Sequence, residues 1–143
     1  MTAPEPIRRA TRADIPAMTR IVCDWEVEVP FVATPAQPEV IEPIIQDTFD
    51  ARQMYVVGEP VDGYMSLDPV ENKIGAIYLT RRGTGMGKRL IDLAKEGRDT
   101  LWLTVFTENT RAQAFYRREG FVVTGTIPAT DAMAETLKME WTR

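Results

Sequence analysis

The sequence predicts a single α+β domain in which about four helices pack on a mixed, largely antiparallel sheet. Three observations carry that reading. Between residues 53 and 79, apolar, β-prone segments follow one another with only turn residues between them, the pattern of an antiparallel meander. From 79 to 106 a strand runs through a glycine-rich turn into an amphipathic helix and back to a strand, a connection long enough to return in the parallel sense. Finally, 143 residues with 44% hydrophobic content suffice for one buried core and leave no room for a second domain.

Each element has a local cause. Residues 7–10 form a short strand candidate, and Thr11 then opens a helix through Arg12, Ala13 and Asp14, with Pro16 in its first turn where a missing N–H is harmless. Ile15, Met18, Ile21, Val22 and Trp25 recur at helical spacing, so Trp25 reads as core and Cys23 as a small helix residue rather than a nucleophile. Pro30, Pro35 and Pro38 mark an irregular connector, after which 40–49 carries a second helical pattern with Pro43 early in it. Segments 53–58 and 63–67 pair as a hairpin through Glu59-Pro60-Val61-Asp62. Segment 73–79 adds a third strand after the turn residues Asp68, Pro69, Glu71 and Asn72. The helix that follows ends near Gly97, and 101–106 is again a strand. Asn109 or Thr110 caps the next helix, the latter completing a capping box with Gln113; Gly120 supplies the left-handed residue that ends it, and Phe121 folds back on the last turn. A last pair of strands, 121–126 and 137–141, completes the sheet.

The stretch Arg81-Arg82-Gly83-Thr84-Gly85-Met86-Gly87-Lys88 reads as an anion cradle. Glycine at alternate positions permits φ > 0 and lets backbone N–H groups converge on one oxyanion, while Met86, Leu90, Leu93 and Ala94 set the helix start close to Gly85 and aim its positive end at the same place. A Walker-type loop is excluded, because Arg82 stands where glycine is needed and Arg89 where Ser or Thr would hold magnesium; Lys88 likewise breaks the dinucleotide pattern. On this reading, valine at Gly85 or Gly87 blocks approach of the anion and, if the loop faces solvent, leaves the ligand-free protein folded. The remaining alternative is a merely flexible turn.

Charge agrees with the cradle. The whole chain carries −4, which argues against nucleic-acid binding, yet residues 81–118 hold nine Lys and Arg against four acids, whereas residues 1–50 hold four arginines against nine acids. One cysteine excludes an internal disulfide, and the absence of histidine removes the common zinc spacings, so no metal is expected. No leader pattern opens the chain and no apolar run approaches the ~20 residues of a membrane span, which predicts a soluble cytoplasmic protein without membrane association.

A resemblance then becomes specific. Asn109, Ala112, Phe115, Tyr116, Gly120 and Phe121 match the N-x-x-A-x-x-F-Y-x-x-x-G-F pattern of the GCN5-related N-acetyltransferase (GNAT) superfamily, and Arg82, Gly85 and Gly87 match its R/Q-x-x-G-x-G/A cofactor motif. The similarity covers most of the chain and is weakest between 24 and 50. It implies an α/β/α sandwich whose parallel fourth and fifth strands splay apart. It further implies an acyl-CoA donor, acetyl-CoA first among them, and a primary amine acceptor, either a small molecule or a peptide N-terminus, attacking directly in a ternary complex on a monomer or homodimer.

By the same resemblance the backbone of Gly83, Thr84, Gly85, Met86, Gly87 and Lys88 binds the CoA pyrophosphate beside Arg82. A backbone N–H near Tyr78 or Leu79 polarises the thioester carbonyl, Asn109 lies on the cofactor side, and Tyr116 protonates the departing thiolate. Many relatives carry a basic carboxylate on the strand before the glycine loop, but 73–80 contains no acid, which leaves Glu26, Glu28 and Glu71 as base candidates. Only Thr80 and Arg81 separate Leu79 from Arg82, a shorter junction than relatives often have. Trp25, Glu28 and Phe31 are expected to wall the acceptor pocket, whose acidic surroundings suit a cationic amine. The competing reading is a non-catalytic acyl-CoA sensor or interaction module on the same scaffold.

Overall fold

The computed structural model describes residues 5–143; residues 1–4, where the reading of the chain's opening begins, lie outside it. The chain runs β1 (Ile7–Arg9), α1 (Ile15–Glu28), α2 (Pro38–Thr48), β2 (Gln53–Val57), β3 (Gly63–Asp68), β4 (Lys73–Leu79), α3 (Met86–Lys95), β5 (Thr100–Phe106), α4 (Thr110–Arg118), β6 (Val122–Ile127) and β7 (Thr136–Thr142). The strands form one sheet in the order β1-β2-β3-β4-β5-β7-β6, antiparallel throughout except for β4 beside β5. The expected α+β class, mixed sheet and four helices are therefore present, and β7 folds inward to lie between β5 and β6.

Alternation along the strands builds two apolar layers. On one face Met54, Val56 and Tyr64 meet Ile15, Met18, Ile21 and Val22 of α1 and Ile45 of α2. On the other, Val57, Met65, Leu67, Leu101, Leu103 and Met139 meet Leu90, Ile91 and Ala94 of α3, with Phe121. Leu90 and Ile91 are wholly inaccessible, and burying each contributes roughly 1.5–3 kcal/mol.

Two helix starts differ from the sequence reading. Arg12–Asp14 is a 3-10 turn, so α1 begins at Ile15; α2 begins at Pro38, two residues before the pattern suggested, because proline preset for helix is favoured in the first turn. Pro43 sits inside α2, where it forfeits the bond to the Glu39 carbonyl.

Asp14 ties this region together. Both terminal guanidinium nitrogens of Arg8 donate to its carboxylate, at 2.7 and 2.9 Å, and the Thr11 N–H donates to its Oδ2 at 2.8 Å. The Arg8 hydrogen bond, followed by the Thr11 bonds, holds the Asp14 carboxyl below its ordinary value against the opposing effect of burial. A depressed carboxyl stabilises the fold above its unfolded pKa, and that stability is lost as pH falls through the lower folded value. Asp14→Asn is expected to cost about 1–2 kcal/mol at neutral pH, with the deficit shrinking in acid. Urea unfolding at several pH values checks this, and a pH-independent deficit contradicts it.

One feature of the sheet positions the site. β4 and β5 share a single register pair, Lys73 with Trp102, and part beyond it. The closed end is clamped by the Trp102 ring between Lys73 and Lys138, at 4.7 and 4.8 Å, and by its Nε1 donating to the Glu71 carbonyl at 3.0 Å. On its other edge β4 carries a bulge: Ser66 pairs Ala76 and Leu67 pairs Ile74, which leaves Gly75 as the extra residue. Such a bulge bends a strand and raises its twist, and it lies just past the last register pair of β4 with β5.

Candidate active site

The glycine loop starts where β4 ends. The Thr80 N–H and hydroxyl both donate to the Asp62 carbonyl, at 3.0 and 2.8 Å, and Arg81 Nε donates to the Asp62 carboxylate at 3.0 Å, which pins the short strand-to-loop junction. Arg81 also pairs with Glu5. Gly83 and Gly85 then adopt φ of 74° and 80°, and Gly85 caps α3. A Cβ at either would meet nothing within 4 Å, so their requirement is conformational. Gly87 is different. A Cβ there would lie 3.0 and 3.1 Å from the Phe115 ring, so this glycine lets α3 pack on α4, and valine at 87 is expected to cost stability as well as ligand approach.

Among the described residues the N–H groups of Gly83, Thr84, Gly85, Gly87 and Lys88 have no partner within the chain, while that of Met86 reaches the Thr84 hydroxyl at 3.4 Å. Unpaired donors converging at a helix start fit an anion. The surrounding charges agree. Lys88 is held by Asp92 and Glu119 at 3.2 and 3.6 Å, and Arg82 meets, among the described residues, only the exposed Glu28, at 3.6 Å. Arg111 and Arg118 border the same space, and neither forms an ion pair among the described residues.

Loop and parted strands open into one cleft of about 750 Å³, within the range of small-molecule sites. It brings together Tyr78, Leu79, the loop from Arg82 to Lys88, Asn109 and Tyr116, all expected from the sequence on the cofactor side, and adds Val29, Ile77, Arg111, Ala114 and Arg118. The Thr80 N–H is spent on Asp62, toward the β3 side, and successive N–H groups of a strand alternate. Tyr78 therefore bonds to its β3 neighbour Tyr64, while the Leu79 N–H points into the gap.

On α4, Asn109 is the cap, its Oδ1 accepting from the Ala112 N–H at 3.2 Å. Gln113 forms no capping box with Thr110; it is buried and donates to the carbonyls of Phe106 and Thr107, at 3.1 and 2.7 Å, fastening α4 to the end of β5. Gly120 at φ 96° and the Phe121 N–H donating to the Tyr116 carbonyl at 3.0 Å end the helix as expected. The Tyr116 ring packs between Phe115 and Phe121, and its hydroxyl has no protein partner among the described residues. Burial first, then the neighbouring Tyr78, pushes its pKa well above that of an ordinary phenol, so Tyr116 carries its proton throughout the working range. Burial, with Glu26 adding, pushes Tyr78 up to about 12.

The opposite wall is aromatic. Trp25 is half-buried at the cleft rather than within the core, its ring edge-on to Tyr78 at 5.4 Å and to Phe31 at 5.8 Å and stacked on Phe106 at 6.2 Å. Of the three acids named as base candidates, Glu26 lies within electrostatic reach of Tyr78, and its Oε1 accepts from the Ala36 N–H at 2.8 Å. Glu28 turns to Arg82. Glu71 precedes β4 at the clamped end, the full length of the strand from Leu79, and is not brought to the cleft. Among the described residues no group of three or more His, Cys, Asp or Glu could hold a metal ion, and no helix is long and apolar enough to cross a membrane. Cys23 is half-buried on α1, where burial raises its thiol pKa.

The sequence matches the acetyltransferase (GNAT) domain family over residues 50–123, which takes in the meander, the glycine loop and α4. No curated protein matches it significantly. Among solved structures, YncA from Salmonella typhimurium, determined with its cofactor acetyl-CoA, superposes with a TM-score of 0.71 at 20% identity, over 98% of this chain and 94% of that one. YjaB from Escherichia coli gives 0.77 at 21% identity, over 97% and 98%. A ribosomal-protein-alanine N-acetyltransferase from Brucella melitensis gives 0.71 at 23% identity, over 96% and 99%. At such identities the likeness establishes the fold.

Proposed function

The chain belongs to the GNAT acetyltransferase family, and from that premise we propose that it moves an acetyl group from acetyl-CoA to a primary amine by direct attack within the β4/β5 cleft. The observation that carries this is a single cleft in which unpaired loop N–H groups, the gap-facing Leu79 N–H and the Tyr116 phenol follow one another. Gly83 to Lys88, with Arg82, would hold the pyrophosphate, and the open strand edges the pantetheine arm. When bound, acetyl-CoA supplies an activated thioester.

The chain's own groups then divide the work. The Leu79 N–H donates to the carbonyl oxygen where negative charge develops. The amine nitrogen bonds to the carbonyl carbon, the carbon–sulfur bond breaks, and Tyr116 gives its proton to the leaving thiolate, to be restored from solvent. Before attack the acceptor's ammonium proton leaves through water to Glu26, the candidate acid whose charge bears on Tyr78, and the proton that the nitrogen sheds on forming the amide goes to solvent. Glu26→Gln is expected to lower kcat/KM about 100-fold at neutral pH, the low end for acid–base catalysis. The loss should fade at high pH, where the amine is already neutral. An equal loss at every pH contradicts a base role.

Incubation with acetyl-CoA and a panel of amines, following free thiol and acetylated product together, tests the reading. Equal amounts of both are expected. Tight acetyl-CoA binding with no thiol release on any amine would instead favour an acyl-CoA sensor on this fold.

A further inference from the structure

Along β4 the side chains alternate between the two faces of the sheet. Ile77 and Leu79 pack on the α3 side, Ala76 and Tyr78 on the α1 side. The cleft passes through the gap to that second face, since Trp25 and Val29 line it together with Ala112 and Tyr116 of α4. Tyr116, the acid for the sulfur, approaches from α4, so the face left open to an attacking nitrogen is the one that bears the Tyr78 ring. The Leu79 N–H belongs to the peptide joining Leu79 to Tyr78, which makes this phenol the side chain next to the thioester carbonyl.

The ring is held and its oxygen is free. Trp25 meets it edge-on at 5.4 Å, and Tyr64 packs on it at 5.5 Å. The Tyr78 hydroxyl has no hydrogen-bond partner among the described residues, where the one fully enclosed side-chain oxygen or nitrogen without a partner is Thr19 Oγ1. The Tyr78 oxygen therefore opens on accessible space, at a residue that lines the cleft. Glu26 of α1 and Tyr116 of α4 lie within electrostatic reach of it, one on each side of the gap, and Tyr64 of β3 adjoins it with Cys23 behind. Burial raises both other phenols and the thiol, so all keep their protons at neutral pH, and Glu26 is the one carboxylate of the set. Its Oε1 is taken by the Ala36 N–H at 2.8 Å, and its Oε2 has no partner among the described residues.

We propose that the Tyr78 hydroxyl receives the acceptor's proton first, holding the nitrogen with its emerging lone pair toward the carbonyl carbon and relaying a proton to the water before Glu26. One N–H bond breaks as an O–H bond forms at Tyr78; the phenol's own proton moves to the water, and a water proton to the Glu26 carboxylate. The amine ends neutral, Glu26 ends protonated, and Tyr78 and the water are restored. No phenolate forms, so a raised phenol is no obstacle. This rests on the acetyl-transfer reading of the cleft.

The test compares ethylamine, a cation at neutral pH, with trifluoroethylamine, of similar size and already uncharged there. At saturating acetyl-CoA, Tyr78→Phe is expected to lower kcat/KM for ethylamine about 100-fold, the low end for acid–base catalysis, with the loss shrinking as pH rises. For trifluoroethylamine the expected loss is about two- to tenfold, the scale of one hydrogen bond. Acetyl-CoA affinity should hold, because the backbone is kept. Tyr78→Phe combined with Glu26→Gln should lose no more than the worse single variant, since both interrupt one path. Tyr64→Phe, which alters the neighbouring ring away from the cleft, should change neither amine. Equal losses on the two amines, single losses that multiply in the double variant, or a Tyr64→Phe loss equal to that of Tyr78→Phe would overturn the relay while acetyl transfer stands. Wild-type protein that releases thiol with neither amine removes the relay, and failure across a wider amine panel removes acetyl transfer with it.

Discussion

Replacing Tyr116 by phenylalanine is expected to lower kcat about 100- to 10,000-fold, the range in which a positioned general acid contributes, and to leave acetyl-CoA affinity and the fold in place. The change removes one phenolic oxygen and keeps the ring that packs on Phe115 and Phe121. Since the hydroxyl has no protein partner among the described residues, its loss strands no buried group, and the stability cost stays within ~1 kcal/mol. The pKa argument fixes a second signature. A phenol raised by burial stays protonated as pH climbs past the ordinary tyrosine value, so the basic limb of the wild-type profile does not belong to Tyr116. The variant should therefore lose rate by a constant factor from neutral to mildly alkaline pH. Full kcat in a folded, saturated Tyr116→Phe protein removes the catalytic assignment.

The second large effect is expected at Gly87. Valine places its first side-chain carbon 3.0 Å from Phe115 and 3.5 Å from Leu79, closer to the ring than packed carbons approach, and two further methyls follow. Relief requires α3 and α4 to separate, which costs roughly 1–3 kcal/mol in overpacking and displaces the unpaired N–H groups of Gly87 and Lys88 from the rest of the cradle. Acetyl-CoA affinity should fall by more than tenfold, about 1.4 kcal/mol, alongside a lower urea midpoint. Alanine at Gly85 offers the comparison. It meets no neighbour and carries only the left-handed backbone strain of ~1–2 kcal/mol, so it loses stability without a clash. Wild-type stability and affinity in Gly87→Val would mean that the Phe115 contact yields freely and that this glycine serves the turn alone.

These two glycines show what the sequence could and could not disclose. Spacing and a following amphipathic run were enough to place the loop and the helix start and to suggest anion binding there, because φ > 0 and helical periodicity are local. That Gly87 answers to a ring twenty-eight residues away on another helix is tertiary information. The same division holds elsewhere. The strands of the meander were legible from turn residues, whereas the insertion of β7 between β5 and β6 depends on which edge the last hairpin meets. Gly75 within an apolar strand was an available sign of the bulge that β4 carries against β3. Trp25 kept the helical spacing of a core residue, yet α1 ends over the gap, so the same face that is buried at Ile15 and Met18 is cleft wall at Trp25. Arg111 and Arg118 were counted in the basic stretch without being singled out, since net charge along a chain does not say which cations share a cavity. Glu71 is near β4 in sequence and far from its open end in space.

The central claim is that the acetyl group passes from acetyl-CoA to the amine in one step, with no acetylated protein between. Mixing the protein in excess with acetyl-CoA, first without amine and then with it, while recording free thiol and the intact protein mass, tests this most directly. The account predicts no thiol above background and an unmodified protein until amine is added, then one thiol for each acetylated amine. A burst of thiol in the amine-free sample, matched by one acetyl group on the protein that amine subsequently removes, would contradict it.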